Sequence, residues 1–137
     1  MKLWQLLILA LTMGSTSVFA DDAEEEAAEE DVAERVCVNK RNINSFDAID
    51  DEHVYIKVSV NDHYLFTMQR RCAGLRHANG IGIKDTMSQV CTNGFGEIVF
   101  RDMGRMQSCR IDTIEPVASK DDAKSLVEDR KEAKSAD

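Results

Sequence analysis

Two neighbouring segments show the clearest alternation of apolar and polar residues in the chain. Residues 54–60 and 64–68 both alternate, and the polar tripeptide Asn61-Asp62-His63 separates them. A period of two is typical of a half-buried β-strand, and a short polar interruption between two such runs is typical of a turn. The pattern therefore predicts a β-hairpin with one apolar face.

The register of this hairpin follows from which loop length keeps the apolar side chains together. A two-residue loop would pair Val60 with His63 and mix the two faces, because a one-residue slip turns every side chain over. A three-residue loop pairs Val60 with Tyr64, Val58 with Phe66 and Ile56 with Met68, and it belongs to a known hairpin class. We therefore expect the three-residue loop, with Lys57, Ser59 and Thr67 on the solvent side.

Further short segments read as strands, and glycines separate most of them. Residues 43–49 are favoured as a strand that leads into the hairpin, and residues 81–83, 97–100 and 108–114 are strand candidates. A helical turn is expected within residues 73–78. Six short strands at roughly ten-residue spacing predict an all-β domain, either barrel-like or a rolled antiparallel sheet, with flexible charged tails.

The first twenty residues have the order of features found in a signal peptide. Lys2 precedes an apolar run at 3–13, and Val18-Phe19-Ala20 places small residues where a signal peptidase cuts. The run is about half of the roughly 20 apolar residues that cross a bilayer. We expect cleavage before Asp21, no lipoprotein anchor and no transmembrane segment afterwards, so that the mature protein is periplasmic or secreted.

Charge divides the rest of the chain into three parts. Residues 21–35 carry nine acidic and one basic residue and are expected to be a disordered acidic tail. Residues 36–116 are neutral, and the β-domain is placed at 36–117. Residues 118–137 form a charged C-terminal tail, expected to be a frayed helix or disordered, with a narrow apolar stripe of Ala123, Leu126 and Val127. A neutral domain with an acidic tail argues against nucleic acid as a partner, because binding to phosphates requires a basic surface.

Four cysteines lie within the β-domain and none lies in the tails. An even number in an exported chain predicts two disulfides, which a small domain with few aromatic residues needs for stability. Three pairings are possible, and the entropy of loop closure does not choose among them. We expect the nested pairing of Cys37 with Cys109 and Cys72 with Cys91, because first and last strands often adjoin in a closed β-fold.

Several short motifs around these cysteines resemble a known family. They are Cys37-Val38-Asn39, Ile43, Phe46 and Asp50, the hairpin that carries Tyr64, Cys72-Ala73-Gly74-Leu75, Cys91, and Cys109-Arg110-Ile111. Together they resemble a family of small exported proteobacterial proteins that is classed only as a domain of unknown function. The resemblance covers about 36–116, outside the two charged tails. It implies a periplasmic or secreted protein and supplies no activity or catalytic residue.

One basic concentration stands out in the neutral domain. Arg70, Arg71 and Arg76, with His77 and Lys84 nearby in sequence, surround Cys72. Such a group can bind an anionic glycan, a lipid head group or the acidic tail of the same chain. A solvated basic surface is the alternative interpretation.

Other candidate chemistry is weaker. The three histidines are expected to face solvent, and His53 and His63 lie too far apart along the hairpin to share a metal ion. Asp47, Asp50, Asp51 and Glu52 form an acidic turn without the spacing of a calcium loop, and we expect this turn to be solvated. Met103 and Met106 precede Cys109, a pattern that copper carriers also use. No catalytic residue, metal site or cofactor is predicted.

These features favour a non-enzymatic periplasmic binding or accessory module. Arg70, Arg71 and Arg76 would be its recognition surface, the hairpin face with Tyr55 a second contact surface, and an envelope protein or an anionic glycan or lipid its partner. An envelope hydrolase is one alternative, and a buried histidine beside a carboxylate in a cleft would favour it. A periplasmic metal-handling protein is the other, and bound metal in purified protein would favour it.

Overall fold

The computed structural model describes residues 34–137, so the predicted signal peptide and nearly all of the predicted acidic tail lie outside the described residues. The described part of the chain contains eight β-strands and one α-helix. In chain order they are β1 (Cys37–Asn39), β2 (Ser45–Ala48), β3 (His53–Lys57), β4 (His63–Met68), β5 (Ile81–Lys84), β6 (Gln89–Cys91), β7 (Glu97–Asp102), β8 (Arg105–Val117) and α1 (Lys120–Ser135). Single 3₁₀ turns occupy Lys40–Asn42 and Leu75–His77, the latter within the segment expected to form a helical turn.

Six strands form one antiparallel sheet in the order β2-β3-β4-β8-β7-β5, and this sheet curls into a half-barrel. One face carries the main core, to which Val54, Ile56, Phe66, Ile98 and Phe100 contribute fully buried side chains. The all-β, disulfide-stapled rolled sheet expected from the sequence is confirmed. The strands expected near residues 43–49, 81–83, 97–100 and 108–114 correspond to β2, β5, β7 and β8.

A separate two-stranded ribbon pairs β1 with β6, and neither strand was expected from the sequence. Each has three residues, of which only the middle one, Val38 or Val90, is buried. Three residues are too few for a period of two to stand out from chance.

The hairpin is present, but the expected register is wrong. Lys57 lies opposite His63 and Ile56 opposite Tyr64, so the loop has five residues, Val58 to Asp62. The Ser59 hydroxyl accepts hydrogen bonds from the backbone N–H groups of Asn61 and Asp62, and the Val58 N–H donates to the Asp62 carbonyl. These bonds close the loop between Lys57 and His63 and leave Val60, which was expected to pair with Tyr64, 81% exposed. The register differs from the expected one by an even number of residues, so the side chains were grouped correctly by face. The expectation that Thr67 points to solvent is wrong, because its hydroxyl is buried.

The C-terminal segment is a packed helix, not a frayed or disordered tail. α1 begins at a Ser119 cap whose hydroxyl accepts a hydrogen bond from the Asp122 N–H. Its Ala123 and Val127 are buried against Tyr55 and Leu65 on the outer face of β3 and β4. Tyr55 is therefore buried, and the prediction that it forms an exposed contact surface is wrong. Among the described residues, no helix combines the length and the apolar content needed to cross a bilayer.

Two disulfides form, as expected, but the nested pairing is wrong. Cys37 is bonded to Cys91 and Cys72 to Cys109, so the two links interleave along the chain. Cys37 and Cys91 lie directly opposite each other in the β1–β6 ribbon. The nested pairing assumed that the first strand adjoins the last, whereas β1 pairs with β6.

Candidate anion-binding cleft

An open cleft of about 730 Å³ lies where three parts of the fold meet. These are the turn between β2 and β3, the loop that follows β4, and the last turns of α1. Charged side chains dominate its lining: Asp50, Asp51, Glu52, His53, Arg70, Arg71, Arg76, Asp112, Arg130, Lys131 and Lys134. The sequence separation between these groups is large, so that only the folded chain brings them together.

Asp50 and His53 form a buried pair in the wall of the cleft. The Asp50 Oδ1 atom accepts hydrogen bonds from the backbone N–H groups of Glu52, at 2.7 Å, and of His53, at 2.8 Å. Aspartate favours tight turns because its short carboxylate reaches backbone donors two and three residues ahead. The same oxygen lies 2.9 Å from His53 Nδ1. The Asp50 carboxylate thus shapes the β2–β3 turn and orients the histidine ring.

Asp50 is ionised under ordinary conditions. Burial by itself would raise its pKa, but hydrogen bonds from Lys131, the Glu52 N–H and His53 outweigh burial and lower the pKa to about 2. The Lys131 ammonium group reaches Asp50 Oδ2 from α1 at 2.8 Å. A carboxylate that accepts several hydrogen bonds and faces a cation is strongly stabilised in its charged form.

The hydrogen bond to this carboxylate also fixes the state of the histidine ring. An ionised carboxylate can only accept, so His53 Nδ1 carries a hydrogen, and Nε2 is the atom that gains or loses a proton. Nε2 makes no hydrogen bond among the described residues. Although His53 is only 6% exposed, it lines the cleft.

Thr67 lies directly opposite His53 in the β3–β4 pair and also lines the cleft. Side chains of directly opposed residues share one face of a sheet, with Cβ atoms about 5 Å apart. The Thr67 hydroxyl is buried and has no hydrogen-bond partner among the described residues. Next to it, the β4–β8 register shifts between Thr67 and Met68, where Asp112 is an extra residue in β8. Bulges of this kind redirect side chains beside functional sites.

The three arginines proposed as a basic patch all line this cleft, but their surroundings differ. Arg71 forms an ion pair with Asp51 at 3.2 Å. Burial would raise the pKa of Asp51, but hydrogen bonds from the Arg76 backbone N–H and from Arg71 outweigh it and lower that pKa. The guanidinium groups of Arg70 and Arg76 have no ion-pair partner within residues 34–137, and both residues are exposed. His77 and Lys84, which are near in sequence, do not line the cleft.

α1 adds cations that the sequence did not connect with this site. Arg130 forms a two-pronged ion pair with Glu115, at 2.7 and 2.8 Å, and Lys134 lies 3.7 Å from Glu52. Lys131 pairs with Asp50, as described above. Every acidic residue of the expected solvated turn therefore faces a basic group, and Asp47 faces Lys120 at 2.6 Å.

The expectation that the histidines face solvent is wrong for two of the three. His53 is buried. His63 is partly buried: its Nε2 donates to the Val60 carbonyl at 2.8 Å and its Nδ1 accepts from the Tyr55 hydroxyl at 2.5 Å. Only His77 is exposed. His53 and His63 lie at opposite ends of β3 and β4.

The features considered for metal binding do not converge in the described part of the chain. Within residues 34–137, no three His, Cys, Asp or Glu side chains are placed to hold a metal ion together. Met103 is 97% exposed in the β7–β8 turn, and Cys109 is consumed in a disulfide.

Sequence reasoning missed Asp50, His53, Thr67 and the α1 cations as one site. A signal was present, because residue 53 continues the alternation through Tyr55 and so shares its face. That face was taken as solvent-exposed, and the narrow apolar stripe of α1 was not recognised as its cover. Once α1 lies on that face, His53 and Thr67 have to lie beside it.

Comparison with known proteins identifies a family. The family model described as "Family of unknown function (DUF6491)" matches residues 1–136. No curated protein and no solved structure matches the chain. The match extends beyond residues 36–116, so both charged ends belong to the family pattern, and the narrower range expected from the motifs was wrong. With nearly its whole length matched, the chain belongs to this family of unknown function, DUF6491.

Proposed function

We propose that this protein is an exported binding module whose cleft takes an anionic ligand bearing a phosphate or carboxylate group. One observation carries the proposal: the guanidinium groups of Arg70 and Arg76 border the cleft without forming an ion pair among the described residues, while each neighbouring cation forms one. Arginine presents a planar set of donors that matches the oxygens of phosphate and carboxylate.

The charge around the cleft supports an anion rather than a cation. Six basic residues and four acidic residues line it, whereas residues 36–116 as a whole are neutral. Unpaired arginines at the rim of a concave surface raise the local concentration of anions. Phosphate or carboxylate could be offered by a free metabolite, an anionic glycan or a lipid head group, all of which share this chemistry.

Export is supported by the chemistry of the cysteines and by the first twenty residues. All four cysteines are in disulfides, and none is free. Disulfides of this kind persist in oxidising compartments such as the periplasm or the extracellular space. The charge, the apolar run and the small residues before Asp21 support a cleaved signal peptide. The proposed location is therefore the periplasm or the exterior of the cell.

The test is calorimetric titration of the mature protein with inorganic phosphate and with citrate at low ionic strength. The Arg70→Ser/Arg76→Ser double variant is expected to weaken binding at least tenfold. The matched control is Arg41→Ser/Arg105→Ser, which removes two exposed arginines outside the cleft and should leave affinity unchanged. No binding by the unaltered protein, or equal losses in both double variants, would reject a specific anion site.

A second function, hydrolysis, is favoured by one specific observation. The buried Asp50–His53 pair in a cleft is the feature expected of a hydrolase, because an oriented imidazole can take a proton from water. In this reading the water oxygen attacks the bound ester while Nε2 takes its proton and then passes it to the leaving oxygen. Turnover of p-nitrophenyl phosphate or acetate that disappears in His53→Gln would support it, and no turnover would leave binding alone.

A further inference from the structure

We propose that His53 Nε2 is itself a ligand contact, and that the cleft takes up a proton at this atom when an anion with two negative charges binds. The inference rests on the proposed anion-binding function and deepens it by assigning a residue and a ligand class. That class is a tetrahedral dianion such as a phosphomonoester or inorganic sulfate.

The geometry leaves Nε2 as the one ring atom able to meet a ligand. Nδ1 is held at 2.9 and 3.1 Å from the two oxygens of Asp50, and the His53 N–H is bound to the same carboxylate. The ring therefore cannot rotate without breaking these bonds. Nε2 has no hydrogen-bond partner among residues 34–137, and His53 lines the cleft.

Acidic and basic groups both line the cleft with His53, so a bound ligand changes the net charge around its ring. The β2–β3 turn contributes Asp50, Asp51 and Glu52, and β8 contributes Asp112. The loop after β4 contributes Arg70, Arg71 and Arg76, and α1 contributes Arg130, Lys131 and Lys134. Lys131 neutralises much of the charge of Asp50. An anion that enters among these cations cancels their repulsion and tips the ring towards protonation.

Thr67 supplies an independent indication that a ligand oxygen belongs here. Its hydroxyl is buried and unpartnered among the described residues, and it lies on the same face as His53 directly across the strand pair. A buried hydroxyl without a hydrogen bond costs about 1–3 kcal/mol, and a ligand that accepts its hydrogen removes that cost. A tetrahedral anion offers oxygens to Nε2–H, to this hydroxyl and to Arg70 or Arg76 at once.

Sulfate is the decisive probe, because it stays doubly charged throughout the pH range in which histidine titrates. Any change of sulfate affinity with pH therefore comes from the protein. Between pH 8 and pH 5.5 we expect affinity to rise about tenfold, the factor that corresponds to about 1.4 kcal/mol of extra interaction with the protonated ring. Calorimetry in two buffers of different ionisation heat should show uptake of about half a proton per sulfate where the affinity changes most steeply with pH, which is the maximum that a tenfold gain implies.

The His53→Gln variant should bind sulfate more weakly than the unaltered protein at pH 5.5, and its affinity should not rise between pH 8 and pH 5.5. The matched control is His77→Gln, which changes the exposed histidine outside the cleft and should retain the full pH effect. Proton uptake is measured on the unaltered protein and so decides the matter even if His53→Gln misfolds. Sulfate binding with no proton uptake and no pH dependence overturns this inference and leaves the proposed function standing. No sulfate or phosphate binding at any pH overturns both.

Discussion

Asp50 connects the backbone, the histidine and the helix through one carboxylate. Its oxygens accept from the N–H groups of Glu52 and His53, from His53 Nδ1 and from Lys131 Nζ. Removing a partner from a buried, hydrogen-bonded charge leaves the remaining groups unsatisfied. The Asp50 carboxylate therefore stabilises the β2–β3 turn, the orientation of the His53 ring and the docking of the end of α1.

We predict that Asp50→Asn lowers the free energy of unfolding by about 2 kcal/mol or less at pH 7, since solvent screens part of the interaction that lowers the pKa of Asp50. Because the pKa of Asp50 is lowered from 3.8 to about 2, its contribution is complete above about pH 4 and is lost as the pH falls towards 2. Urea unfolding at pH 7 and at pH 2.5 should show the deficit of the variant shrinking at the lower pH.

Asp129→Asn is the matched control, because Asp129 is exposed on α1 and forms no ion pair within the described residues. It should unfold like the unaltered protein at both pH values. A deficit in Asp50→Asn that stays constant with pH would mean that lost hydrogen bonds, and not the ionised carboxylate, explain the effect.

At the scale of single residues, the sequence showed which charged residues cluster along the chain but not which groups they pair with in the fold. The acidic turn was recognised but expected to be solvated, and the arginines near Cys72 were recognised as a candidate recognition surface without their partners. Pairing of Arg71 with Asp51 spans twenty positions, and pairing of Lys131 with Asp50 spans many more. Periodicity reports which face a residue occupies and carries no information on what covers that face.

Among the elements, α1 has the largest influence on the cleft. Its stripe of Ala123, Leu126 and Val127 was visible in the sequence and looked too narrow to hold a helix. The stripe suffices because Tyr55 and Leu65 present apolar surface to it. Ion pairs at both ends, Lys120 with Asp47 and Lys131 with Asp50, add to this contact. Most helical stability in proteins comes from such packing and not from helix propensity.

We predict that Val127→Asp releases α1 from the sheet, because an unpaired carboxylate would have to be buried where Val127 is fully enclosed. The expected loss is about 2–4 kcal/mol in the free energy of unfolding, together with a loss of helical circular dichroism. Sulfate affinity should fall as well, because Arg130, Lys131 and Lys134 leave the cleft with the helix.

Ser125→Asp adds the same charge on the exposed side of α1 and serves as the control. It should change stability by no more than about 0.5 kcal/mol. If the two variants behave alike, the packing of α1 against Tyr55 and Leu65 does not stabilise the domain.

For the whole molecule, the two disulfides tie different parts of the chain to the half-barrel. Cys37–Cys91 closes the β1–β6 ribbon, and Cys72–Cys109 fixes the arginine-bearing loop after β4 to β8. Composition and cysteine count predicted the compact oxidised sheet. The pairing could not be predicted, because it depends on a three-residue ribbon that no periodic pattern reveals.

Removing each disulfide in turn should therefore separate its effect on stability from its effect on the cleft. Loops of 54 and 37 residues imply similar entropic stabilisation, about 4 kcal/mol each in the chain-entropy model. We predict that Cys37→Ala/Cys91→Ala and Cys72→Ala/Cys109→Ala each lower the free energy of unfolding by about 2–4 kcal/mol. Only the second should also weaken sulfate binding at temperatures where both variants are folded, because Arg70 and Arg76 lie within six residues of Cys72. Equal sulfate affinities in the two variants would show that the loop holds its arginines without the disulfide, so that the cleft is preformed by Asp51 and its hydrogen bonds to Arg71 and Arg76.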